Sequence, residues 1–150
     1  MNRHLSLTLF LLLLVGGGLA IGFFTAPGEW YAGLAKPPFN PPNWLFGPVW
    51  TLLYILIAIA GWLVWRWQSA STVMTLWWVQ LALNFLWSPV FFAGQSVGGA
   101  LAVILALLVT IFAFIAAAWR EHRTAALLFL PYAAWVAFAT LLNGSIWLLN

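Results

Sequence analysis

Two primary amides stand inside an uninterrupted apolar run. Gln80 and Asn84 are followed by Trp87 and Phe91 at spacings of four, three and four, so all four share one face of a helix. An amide surrounded by hydrocarbon must find hydrogen-bond partners, so this face looks toward other helices. A second stripe, Tyr132, Trp135, Ala139 and Asn143, lies near the end of the chain, and small Ala139 leaves space above the indole. A third comprises Trp50 and Tyr54, one turn apart, with Thr51 beside them. Packed together, the stripes would line an aromatic, apolar cavity with a few fixed amides and hydroxyls, the make-up of a small-molecule pocket. Asn and Gln also serve simply as glue between membrane helices, at about 0.6 kcal/mol apiece, and Trp often just packs. The repeated pairing of Trp with an amide on two helices favours the pocket, as does the Trp30-Tyr31 pair in a connecting segment.

Other chemistries lack their residues. The two acids, Glu29 and Glu121, fall in loops on opposite sides of the chain's apolar spans, so no carboxylate pair is available for acid–base work. His4 lies in a terminus and His122 in a turn, where they read as solvated side chains, and no metal site is expected. Ser88 has no base on its helix face. Cysteine is absent, which removes disulfides, thiolate nucleophiles and Cys-ligated metals. No ionisable side chain falls within a span, against a proton-coupled pump or a charged-ring channel.

The elements that must position these residues are membrane spans. Of 150 residues, 65% are hydrophobic and 5% charged, with mean hydropathy +1.04. So few charges cannot cover a soluble domain, and the solvent is lipid. The pI near 10 rests on five Lys/Arg against two acids and carries no nucleic-acid signal. Five spans are predicted in one domain covering residues 1–150: Leu5 to Phe24, Trp44 to Trp67, Val73 to Ala93, Val97 to Trp119 and Thr124 to Leu149. The first is too long for the apolar core of a signal peptide, typically about 7–15 residues, and is read as a retained span. The run from Val73 to Trp119 would exceed twice the bilayer core as one helix, so it folds back at Gly94-Gln95-Ser96. Pro48 sits harmlessly in a first turn, whereas Pro89 should bend the third span. Gly18 and Gly22 form a GxxxG pair suited to close helix approach. Trp62, Trp65, Trp67, Trp77, Trp78, Trp119 and Trp147 lie near span ends, where an interfacial belt is expected.

Arg3, Arg66, Arg120 and Arg123 fall on the N-terminal side and Lys36 alone on the other. The positive-inside rule then makes the N-terminus cytoplasmic and the Gly28–Asn43 connection external. That connection is the one long polar-capable segment, hence the expected lid.

The ordered signatures Trp30-Tyr31, Leu34-Ala35-Lys36-Pro37, Pro41-Pro42-Asn43-Trp44, Pro48-Val49-Trp50-Thr51-Leu52-Leu53-Tyr54, Gln80-Leu81-Ala82-Leu83-Asn84, Trp87-Ser88-Pro89-Val90-Phe91-Phe92 and Pro131-Tyr132-Ala133-Ala134-Trp135 span nearly the whole chain. In these the sequence resembles the TspO/MBR family of tryptophan-rich sensory proteins and translocator proteins (peripheral benzodiazepine receptors). The resemblance implies a bundle of five transmembrane helices, commonly dimeric, whose pocket is capped by the first connecting loop. It implies binding of tetrapyrroles such as protoporphyrin IX, with no further cofactor. The ligand positions are Trp30, Tyr31, Trp50, Tyr54, Asn84, Trp87, Trp135 and Ala139. Trp30 and Trp135 match tryptophans linked in some members to light- and oxygen-dependent porphyrin breakdown, which leaves an enzymatic alternative beside binding, sensing or transport. Phe39 replaces a Trp common in relatives, and the Tyr and basic residue of the sterol motif are missing after Asn143, which argues against sterol recognition by that route. Lys36 and nearby amides are the expected donors for porphyrin propionates. The expected setting is the bacterial inner membrane, with an outer-membrane location attributed to some relatives.

Overall fold

The computed structural model describes all 150 residues, and it is all-helical. Five helices are long and apolar enough to cross a membrane: α1 (Arg3–Phe24), α3 (Asn43–Gln68), α4 (Thr72–Ala93), α5 (Val97–Ala118) and α6 (Arg123–Leu149). One short helix, α2 (Glu29–Ala32), lies in the first connection. The predicted spans therefore all form, with ends moved by a few residues. Each helix satisfies its own backbone, as an unhydrated interior requires.

Neighbours around the bundle run α1, α3, α6, α5, α4, and the seams from α4 back to α1 and α3 are the thinnest. The half of the bundle nearer the N-terminus is solid. Phe114 packs against Phe129 with tilted rings 4.1 Å apart, and Phe129 meets the Tyr132 ring edge-on at 5.3 Å. Trp77 and Trp62, expected in the interfacial belt, belong to this packed half: both are buried. The cause is hydrogen bonding, since Trp77 Nε1 donates to the Ile57 carbonyl (3.0 Å) and Trp62 Nε1 to Ser6 Oγ (3.0 Å). Gly61 provides the berth for the Trp77 ring, because any Cβ there would enter it. Trp67, Trp78, Trp119 and Trp147 are exposed as a belt requires.

Proline and glycine shape the other half. At Pro89, whose ring cannot donate a backbone N–H, α4 changes from α to a π-helical turn over Pro89–Ala93. The turn closes with Gly94 N donating to the Pro89 carbonyl (2.8 Å), and Gln95 at φ 52° completes the predicted corner. A second π-turn, Leu12–Gly16, interrupts α1 just before Gly17 and Gly18. Within the chain, Gly17 and Gly18 admit the close approach expected of the small-residue spacing. Gly17 lies against the Phe85 ring and Gly18 against the Tyr54 ring, and Gly22 has open space beside it. Pro131 leaves α6 continuous, with its ring on the exposed surface.

Candidate functional site

Asn84 is the fixed point of the site. Its Oδ1 accepts from the Tyr54 hydroxyl of α3 (3.2 Å), and its Nδ2 donates to the Tyr132 hydroxyl of α6 (2.6 Å). Tyr132 in turn donates to Gln80 Oε1 (2.8 Å), one turn along α4 from Asn84. Three helices are thereby tied by one chain of side-chain hydrogen bonds. Gln80 and Asn143 are the glue that the sequence alternative anticipated. Asn143 Oδ1 accepts from Trp87 Nε1 (3.0 Å) and its Nδ2 donates to the Val97 carbonyl (3.0 Å), linking α4, α5 and α6.

Above this chain the bundle opens into a cavity of about 960 Å³. That is at the upper end of the roughly 300–1,000 Å³ typical of small-molecule sites. Tyr31, Trp50, Tyr54, Asn84, Trp87, Trp135 and Ala139, seven of the eight ligand positions expected from the sequence, line it. Trp30 does not. Its ring packs edge-on against Phe91 (5.8 Å), and Phe91 separates it from the cavity while stacking on Trp87 at 5.1 Å.

The wall also contains residues that the stripes did not include. Gly18, Ile21, Gly22 and Thr25 of α1 face the cavity, with the Thr25 hydroxyl sharing a 2.6 Å hydrogen bond with Ser88 Oγ. Of these, Gly18 and Gly22 were visible in the sequence as a small-residue pair, while Ile21 and Thr25 carried no mark. Phe46 lies one turn before Trp50 and meets Trp135 edge-on at 5.8 Å. Ile104 and Leu107 of α5 complete the wall, and nothing marks them within a uniformly apolar helix.

The connecting segment forms the roof, as expected of a lid. Tyr31 packs on Phe91 and Phe92 at 6.1 and 5.4 Å, and Asn40 and Asn43 reach the cavity. Asn150 holds the segment from below: its Oδ1 accepts from Ala35 N (3.1 Å) and its Nδ2 donates to the Ala35 carbonyl (2.9 Å). Lys36 is not a free donor at the mouth. Its Nζ donates to the carbonyls of Tyr31 (2.7 Å) and Leu34 (3.2 Å) and lies 4.4 Å from the Tyr31 ring centroid, so the cation caps the lid's own backbone.

No charged side chain lines the cavity. Two buried polar atoms in its wall have no protein partner: the Trp135 indole N–H, a donor, and Asn40 Oδ1, an acceptor. Such groups are rare in folded proteins because each forfeits its hydration. No group of His or acidic side chains is placed to hold a metal ion.

Five spanning helices enclosing an aromatic, uncharged cavity under a proline-stiffened loop define an integral membrane protein with an internal cavity of small-molecule size. The TspO/MBR family model matches residues 9–148, and the chain belongs to that family. It is 45% identical over 151 residues to the tryptophan-rich protein TspO of Archaeoglobus fulgidus, covering 97% of each chain. It is 40% identical over 138 residues to the human translocator protein, covering 87% of this chain and 82% of that one. With the tryptophan-rich sensory protein of Cereibacter sphaeroides it shares 36% identity over 150 residues, covering 100% of this chain and 95% of the other.

Proposed function

We propose that this protein binds a flat, largely apolar ligand of the porphyrin class within the bundle, as a sensor or carrier. The observation that carries this is the cavity itself: about 960 Å³, walled by Trp50, Trp87 and Trp135, and without a charged group. Aromatic walls bury large area on a planar ligand at little conformational cost, because they are already held in place. Trp87 is fixed by Asn143, and Tyr54 by Asn84. The Trp135 N–H and Asn40 Oδ1 are sealed from the cavity, so the wall meets the ligand chiefly through its ring faces. With Lys36 engaged by the lid, propionates find no cation in the wall and extend through the mouth instead. Translocator and sensory proteins among the relatives are consistent with a binding role.

Titration of the purified chain with protoporphyrin IX is expected to quench indole fluorescence saturably with one site per chain. Linear, unsaturable quenching would reject the proposal.

One observation favours a second activity at the same site, the light- and oxygen-dependent breakdown of the bound porphyrin. Trp135 lines the cavity, which would bring its indole against a photoexcited ligand. The reactivity would come from the ligand. Trp30 lies behind Phe91 and has no direct part in it. Under illumination in air, Trp135→Phe is expected to slow porphyrin loss; equal loss in both proteins rejects this activity.

A further inference from the structure

At the opposite end of the bundle from the cavity, two cations share one indole. The Arg3 guanidinium carbon lies 5.6 Å from the Trp62 ring centroid and that of Arg66 lies 4.6 Å from it. Arg3 begins α1 and Arg66 ends α3, so the pair straddles the seam between these helices. Trp62 is a fixed platform: it is buried, its Nε1 donates to Ser6 Oγ (3.0 Å), and Ser6 Oγ donates to the Arg3 carbonyl (2.9 Å). Both arginines are themselves exposed.

No carboxylate accompanies them. Glu29 lies in α2 at the other end of the molecule, and Glu121 accepts from Gln68 Nε2 (3.0 Å). Two guanidiniums reaching one ring lie at most about 10 Å apart, a like-charge pair whose repulsion a bridging anion relieves. A guanidinium offers a planar fork of donors suited to phosphate oxygens, and two forks from neighbouring helices suit one phosphodiester. Half-buried Leu7 and Leu11, one and two turns beyond Arg3 on the same face of α1, give acyl chains a surface below the cations.

We propose that Arg3 and Arg66, joined across the α1–α3 seam by Trp62, form a headgroup site for one anionic phospholipid. The phosphate binds between the guanidiniums and the acyl chains descend along α1. The site is separate from the porphyrin cavity and does not depend on what that cavity binds.

The test uses the full chain in nanodiscs of equal phosphatidylglycerol and phosphatidylcholine, extracted into detergent and examined by native mass spectrometry. Wild-type protein is expected to retain phosphatidylglycerol over phosphatidylcholine by roughly an order of magnitude. The exposed double substitution Arg3→Gln/Arg66→Gln should bring retention near parity. Arg120→Gln/Arg123→Gln, which removes the same charge from the same membrane face, should leave it unchanged. Circular dichroism establishes that both variants keep wild-type helicity. Absence of enrichment in the wild type, or equal loss in both variants, overturns the proposal. Displacement of the lipid by an excess of inorganic phosphate would assign the site to the free ion and also overturn it.

Discussion

Trp87 and Trp135 are both cavity tryptophans, yet they differ in what their N–H groups do, and substitution should separate them. Trp87→Phe leaves Asn143 Oδ1 without its donor, a loss of about 1 kcal/mol. Trp135→Phe removes a buried donor that has no partner, so stability should change by less than about 0.5 kcal/mol while porphyrin affinity falls. Denaturation in mild detergent, alongside porphyrin titration, reads both quantities. Tyr132→Phe should cost more than Trp87→Phe, about 2 kcal/mol, because its hydroxyl serves Asn84 and Gln80 together. Residue types and helical spacing made most of this visible: amides in an apolar run must be bonded, and the stripes named Asn84, Trp87 and Trp135 directly. Periodicity does not show which partner each amide takes. Asn84 chose two tyrosines and Gln80 one of them, and that choice depends on helix rotation, which no local pattern encodes.

Among the elements, the lid is the part whose dynamics bear on ligand entry. It is held by the Asn150 clamp on Ala35, by Lys36 on the carbonyls of Tyr31 and Leu34, and by aromatic contacts to the π-turn of α4. Asn150→Ala should therefore accelerate porphyrin association and dissociation several-fold with little change in bundle stability, measured by stopped-flow fluorescence. Pro41→Ala with Pro42→Ala should act in the same direction by loosening the chain between lid and α3. Gly61→Ala affects a different element entirely: a methyl there collides with the Trp77 ring in the solid half, and a loss of about 1–3 kcal/mol is expected without loss of the cavity. The spans and their corners were readable because hydrophobic length, Pro and Gly punctuate them. Two features escaped for physical reasons. Tryptophans near span ends look alike whether they meet headgroups or a neighbouring carbonyl, which is why Trp62 and Trp77 prove to be core. Lys36 looked free because its acceptors are backbone carbonyls, which carry no sequence signature.

Across the whole molecule, the arginines and the cavity are segregated to opposite ends. Arg3, Arg66, Arg120 and Arg123 mark one membrane face, and the lid and cavity mouth mark the other. We infer a cytoplasmic N-terminus in a bacterial inner membrane, with the mouth facing outward. The absence of cysteine makes this simple to measure: in right-side-out vesicles an impermeant maleimide should label Phe39→Cys and spare Arg120→Cys, and the reverse pattern would invert the orientation. The cavity enclosed by α1, α3, α4, α5 and α6 is the proposed porphyrin site. Ala139→Trp tests it most directly, since Ala139 lines the cavity on the same α6 stripe as Trp135 and an added indole would fill the space where the macrocycle must lie. Protoporphyrin IX titrations of the wild type and this variant, both helical and monodisperse, are predicted to show saturable one-site quenching in the first and at least about a tenfold weaker affinity in the second. Equal affinities would contradict the account.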